Sequence, residues 1–120
     1  MDNFIIPNVY STPMTAGAYS DKKVIQTGEC KLLGFVAQNA SSAGSRWIQV
    51  HDLAALPSNG VVPMLSILIS ASAQGGFDVG PLKALAMKNG LSICVSSTGP
   101  TLTQVTGSAS EGAFLTVFWI

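Results

Sequence analysis

Charge is scarce in this chain: six Lys and Arg and six Asp and Glu in 120 residues, about a tenth of the sequence where roughly a quarter is usual. Formal net charge is zero and Lys22-Lys23 is the only basic pair, so there is no stripe of cations to neutralise a run of phosphates. That argues against nucleic acid as a partner. The same neutrality removes the self-repulsion that keeps monomers apart and favours association near neutral pH.

Chemistry-bearing residues are equally sparse. Histidine occurs once, as His51 beside Asp52, with no second histidine and no cysteine pair at ligand spacing. The dipeptide is therefore read as a half-exposed histidine at a strand end, and no metal or cofactor is expected. The carboxylates at 2, 21, 29, 52, 78 and 111 are isolated from one another, so spacing nominates no acid and base pair. No G-x-S-x-G elbow occurs, and Ser96-Ser97 reads as ordinary turn chemistry. GGFDVG (75 to 80) lacks the Lys-Ser/Thr ending of a phosphate loop and is read as a turn. The sequence thus predicts no catalytic residue and a protein that is not an enzyme.

Long apolar runs are missing too. The longest, VVPMLSILISASA from 61 to 73, is broken by a proline and serines and is too short to cross a bilayer. MDNFIIPNVYS has neither the basic nor the apolar region of a signal peptide, so neither export nor a membrane partner is expected. Free thiols follow from that expectation for the two cysteines, with Cys94 buried inside LSICV and Cys30, in GECK, more accessible. Asn39-Ala40-Ser41 matches a glycosylation acceptor, which has no meaning without export.

What the chain does have is apolar residues, 48% of the total, in short runs separated by turn residues. That is the signature of a single all-β sandwich domain. RWIQVHD (46 to 52) places Ile48 and Val50 on one face and Trp47, Gln49 and His51 on the other. MLSILISA (64 to 71) alternates Leu65, Ile67 and Ile69 with Ser66 and Ser70, and LSICVSST (91 to 98) sets Leu91, Ile93 and Val95 against Ser92, Cys94 and Ser96. KLLGFVAQ (31 to 38) puts Leu33, Phe35 and Ala37 opposite Leu32, Gly34 and Val36. GPLKALAMKNG (80 to 90) competes as a helix of two or three turns, with Pro81 at its start and Asn89-Gly90 as its stop.

The last segment, GAFLTVFWI (112 to 120), is apolar on both faces except at Thr116. Such a strand is central in a sheet or covered by another chain, because exposed it would recruit other chains. Residues 1 to 23 hold two prolines and no sustained period and read as an extended N-terminal arm, with the sandwich running from 24 to 120. Phe4, Ile5, Ile6, Val9 and Tyr10 give the arm apolar anchors, either for a neighbouring subunit or for its own sandwich. With Trp119 of the last strand they form the candidate subunit interface.

Three stretches, VIQTGECKLLGFVAQN, RWIQVHDLAALPSNGVVP, and the pair GLSICVSST and AFLTVFWI, resemble a group of small all-β virion proteins of tailed bacteriophages, including capsid decoration (cement) proteins. The likeness covers about three quarters of the chain, and PLKALAMKNG departs from it. It implies a jelly-roll-like sandwich on the virion's capsid surface, assembled in the host cytoplasm. It also implies the major capsid protein as partner and a homo-oligomer, dimer or trimer. A tail, baseplate or head-to-tail joining subunit fits the same group. A carbohydrate-binding sandwich, with Trp47 and Tyr19 stacking on sugars, is the reading outside it.

Overall fold

The structure is a computed structural model that describes residues 7–14, 22–39, 44–79, 83–103, 105 and 113–120. Nine strands follow in order among these: β1 (Asn8–Met14), β2 (Lys22–Thr27), β3 (Cys30–Asn39), β4 (Arg46–His51), β5 (Leu65–Ile69), β6 (Gln74–Asp78), β7 (Leu85–Met87), β8 (Gly90–Ser96) and β9 (Ala113–Trp119). They form two antiparallel sheets packed as a β-sandwich. The five-stranded sheet runs β1-β9-β3-β6, with β7 also on β3, and the four-stranded sheet runs β2-β8-β4-β5.

The pairings are nested. β1 pairs with β9, β2 with β8, β3 with β6 and β4 with β5, so the chain is a long antiparallel ribbon folded over on itself. Lateral pairs β3–β9 and β4–β8 then join the folded ribbon into sheets. This places β9 between β1 and β3, with both of its edges hydrogen-bonded. Its apolar composition follows: Leu115 and Val117 lie fully in the core while Phe114 on the opposite face is half exposed.

The core is the set of inward positions that period 2 selects. Ile48 and Val50 of β4, Leu91, Ile93 and Val95 of β8, and Ile69 of β5 face Leu115 and Val117 across the sandwich. The Phe35 and Phe77 rings meet edge to face with centroids 5.2 Å apart. Strict alternation fails in β3, where the register slips between Leu32 and Gly34. This bulge brings Leu32 into the core beside Phe35 and Ala37, instead of on the face of Gly34 and Val36.

Other expectations are corrected. The helix signal in 80–90 is not realised in the described part: Leu85–Met87 is a strand on Cys30–Leu32, with Met87 wholly buried. Tertiary pairing has overridden a short stretch of helix propensity. Cys30 is buried rather than accessible, because it starts β3 opposite Met87; Cys94 is buried as expected, and neither forms a disulfide. GGFDVG contributes to strand β6 rather than a turn. Of the stretch 1–23 read as an arm, Asn8–Met14 lies along β9 and Lys22 already opens β2, while Phe4, Ile5 and Ile6 fall outside the described residues.

Removing Thr116–Ile120 would strip β1 and β3 of their shared neighbour and take Val117 from the core. Each large side chain lost from burial costs about 1.5–3 kcal/mol, against a whole-domain stability of about 5–15 kcal/mol. A chain ending at Leu115 is expected not to fold, and a soluble product with a cooperative thermal melt would refute this.

Candidate functional site

The two outer faces of the sandwich differ in kind. On the four-stranded sheet the outward residues are those that alternate with the core: Gln49 and His51 of β4, and Ser92, Cys94 and Ser96 of β8, all buried. Register sets Gln49 beside Cys94 and His51 beside Ser92. They are buried because two loops, residues 52–63 and 97–103, lie over them, and the layer between is polar.

Gln49, Ser92 and Ser96 hold loop backbone, as does Lys22 beside them. Gln49 Nε2 donates to the carbonyls of Thr98 (2.9 Å), Gly99 (3.1 Å) and Thr101 (3.1 Å). Ser96 Oγ donates toward the Thr98 carbonyl at 2.7 Å and accepts from the Thr103 amide at 2.9 Å. Ser92 Oγ donates to the Leu53 carbonyl at 2.8 Å, and Lys22 Nζ to that of Pro57 at 2.9 Å. The two loops are tied together by Gly60 N to Leu102 O and Leu102 N to Val61 O. Gly99 lies flat on the Trp47 indole, where a Cβ would meet the ring at 2.9 Å. Ser96 is thus a buried anchor rather than a turn residue.

His51 is wholly buried in this layer, not half exposed, since the strap Val61–Met64 closes over the end of β4. Its Nε2 faces Gln49 Oε1 at 3.3 Å and its Nδ1 is buried without a hydrogen-bond partner. Burial, with the Lys22 charge second, lowers its pKa below the usual histidine value. Asp52 turns away to accept from the amides of Asn89 (2.8 Å) and Gly90 (3.3 Å), and the Asn89 bond foremost lowers its pKa. Burial, then Asp52, raises the Cys30 thiol, which makes it a poor nucleophile. Among the described residues no three His, Cys, Asp or Glu side chains converge as a metal site. Asn39 of the glycosylation-like triplet is buried, its Nδ2 donating to the carbonyls of Gly44, Ile69 and Ser70 at 3.1 Å each.

Among the described residues no loop of this kind lies over the five-stranded sheet, whose outer rows carry Val9, Val36, Phe114 and Phe118 alongside Thr116, Gln74 and Asp78. Register aligns Val9, Phe118, Gly34 and Asp78 in one row, and Thr116, Val36 and Gly76 in the next. Val9 and Val36 are more than half exposed and Phe114 nearly so. Gly76, at φ 140°, abuts the Phe35 carbonyl, so no side chain stands there. The result is a groove of about 550 Å³ between Val36 and Phe118 on one side and Gln74 and Asp78 on the other. A second set of exposed apolar side chains lies on the opposite side of the molecule. These are Leu56 and Val62 on the loop cover with Met64 and Leu68 at the β5 edge, Val62 being 71% exposed.

Of the residues nominated from the sequence, the structure does not bring Val9, Tyr10 and Trp119 to one surface. Val9 points outward. Tyr10 shares the inward register of Val117, its ring under Lys23 Nζ at 5.4 Å, where the sheets meet at their β1 and β2 edges. Trp119 is half buried against the core with its Nε1 lacking a partner. Val36, Phe114 and Val62 were missed as surface residues; the first two alternate with core positions, which was the available signal.

No family model matches the chain, and no curated protein or solved structure matches it either.

Gln49→Leu removes the donor shared by three buried or half-buried carbonyls. At about 1 kcal/mol net for each bond, the urea midpoint is expected to fall by the equivalent of about 2–3 kcal/mol. Trp47 emission should shift to the red as Gly99 lifts from the indole. A loss of under about 0.5 kcal/mol, the range of an ordinary surface change, would show that Gln49 does not hold the loop.

Proposed function

We propose that the protein is a structural, non-enzymatic virion subunit, specifically a capsid decoration protein that clamps neighbouring shell subunits from outside. The observation that carries the reading is the pair of exposed apolar surfaces on opposite sides of one sandwich: Val9, Val36 and Phe114 on one, Leu56, Val62, Met64 and Leu68 on the other. A subunit that bridges neighbours needs two such surfaces, whereas one apolar patch would serve a simple dimer. Low charge lets both be buried with little desolvation of ions.

Strand order supports the finer fold. With short β7 set aside, eight strands form a nested ribbon whose sheets run β1-β9-β3-β6 and β2-β8-β4-β5, the wrapping of a jelly roll. That agrees with the sequence likeness to small all-β virion proteins.

The test is copy number: the protein is quantified against the major shell protein in purified particles of the virus that encodes it. A ratio near that of the shell protein supports decoration. A small fixed number per particle moves it to the neck or tail, and absence from particles overturns the virion reading. Val36→Asp and Val62→Asp then separate the two surfaces. Both side chains are largely exposed, so melting should be little changed, while shell affinity should fall about 10- to 100-fold for each, the worth of one buried valine. Full occupancy by both variants would refute docking through these faces.

A further inference from the structure

The Gln49–His51 pair has a definite protonation logic. Gln49 spends its Nε2 hydrogens on the carbonyls of Thr98, Gly99 and Thr101, so the group it turns to His51 is Oε1, an acceptor only. His51 must therefore donate from Nε2, and in the neutral ring Nδ1 is left as the bare lone pair. Nδ1 is buried and no donor or acceptor of the described residues reaches it. A neutral ring tolerates that arrangement. A charged ring does not, because the new Nδ1–H would be a buried cationic donor with nothing to receive it.

We infer that His51 is an acid-sensitive latch for the loop cover of the four-stranded sheet: protonating it opens residues 97–103 and the strap Val61–Met64 while the rest of the sandwich stays folded. Relief can come in two ways. Water enters through the cleft of about 240 Å³ lined by His51, Asp52, Leu53 and Val61–Met64, or the ring swings out into it. The first displaces the strap, whose Val61 carbonyl holds the Leu102 amide. The second takes the donor from Gln49 Oε1 and loosens its grip on the Thr98–Thr101 carbonyls. Either route reaches the same loop.

The surrounding groups set the direction. From β2 the Lys22 charge opposes a second positive charge; from β8 come Ser92, without charge, and Cys94; the strap itself contributes no titratable side chain. Asp52, next in the chain, is committed to the amides of Asn89 and Gly90. The folded pKa lies below the ordinary 6.5, so the closed form binds fewer protons than the open form. The cover is then fully held above about pH 6.5 and loosens as pH falls below it. The lowered Asp52 carboxyl has its own window, below its ordinary 3.8, which keeps the two events apart.

The test is amide hydrogen exchange between pH 7.5 and 4.5, corrected for the intrinsic rate, on the intact chain. Protection of the Ser97, Thr98, Leu102 and Thr103 amides should fall up to about tenfold per pH unit below 6.5. The Lys31 and Ile120 amides, which bond each other's carbonyls in the five-stranded sheet, should keep theirs. In His51→Gln, which can still donate to Gln49 but does not titrate, the fall should vanish. Should that variant not fold, nitrogen NMR of the wild-type imidazole supplies the second reading: the Nε2–H form at neutral pH, titrating together with the loss of loop protection. Constant loop protection, an equal fall in His51→Gln, an Nδ1–H ring, or parallel loss at Lys31 and Ile120 would each overturn the latch.

Discussion

Everything in this fold depends on β9 lying between β1 and β3. The segment is too apolar to stand at an edge, and its register leaves it none: Asn8–Met14 takes one side and Leu32–Asn39 the other. That insertion closes the outermost pair of the nested ribbon, and the inner pairs β2–β8, β3–β6 and β4–β5 share the same fold-over. Contacts of this kind join residues far apart in sequence, so loop-closure entropy is spent before burial repays it. The stabilising weight is accordingly concentrated where the ribbon closes, at Leu115 and Val117 against Leu32, Phe35, Ile93 and Val95.

Given that frame, the two outer faces solve the same problem in opposite ways. The four-stranded sheet carries hydrophilic side chains outward, and loops return over them so that Gln49, Ser92 and Ser96 find backbone carbonyls in place of water. The five-stranded sheet carries apolar residues and glycine outward and receives no such cover in the described chain. A polar layer under loops is internally complete, whereas an apolar face beside a groove gains only from something brought to it. The asymmetry makes the five-stranded face and the outer surface of the loop cover better suited to association than the layer beneath that cover.

The strands were legible from period 2 wherever inward residues are apolar, as with Ile48 and Val50 or Leu91, Ile93 and Val95. Alternation says which residues share a face, but not what lies on the second face. Hence His51 and Ser96 read as strand-end and turn residues, although the loops that follow their strands fold back and bury them. Cys30 looked accessible because GECK reads as a turn, and the partner that buries it, Met87, sits in a stretch with helix-like spacing. The slip at Leu32 to Gly34 has no signature in composition, since both leucines suit either face. That Val9 faces outward while Tyr10 and Trp119 face inward is set by the β1–β9 register, which the sequence of the arm does not encode by itself.

The strap Val61–Met64 joins the two halves of the functional reading. Its inner aspect lines the cleft at His51, while Val62 and Met64 present their side chains outward as part of an exposed apolar surface. If a neighbour docks on that surface as proposed, it would bind the closed strap and not the opened one, and its binding energy would add to whatever holds His51 neutral. The reverse holds by the same linkage: whatever charges His51 weakens docking there. The chain's one histidine lies in the other sheet, so attachment through the five-stranded face lacks this coupling. A subunit built this way would hold one neighbour independently of mild acid and the other conditionally on it, through a single buried proton site.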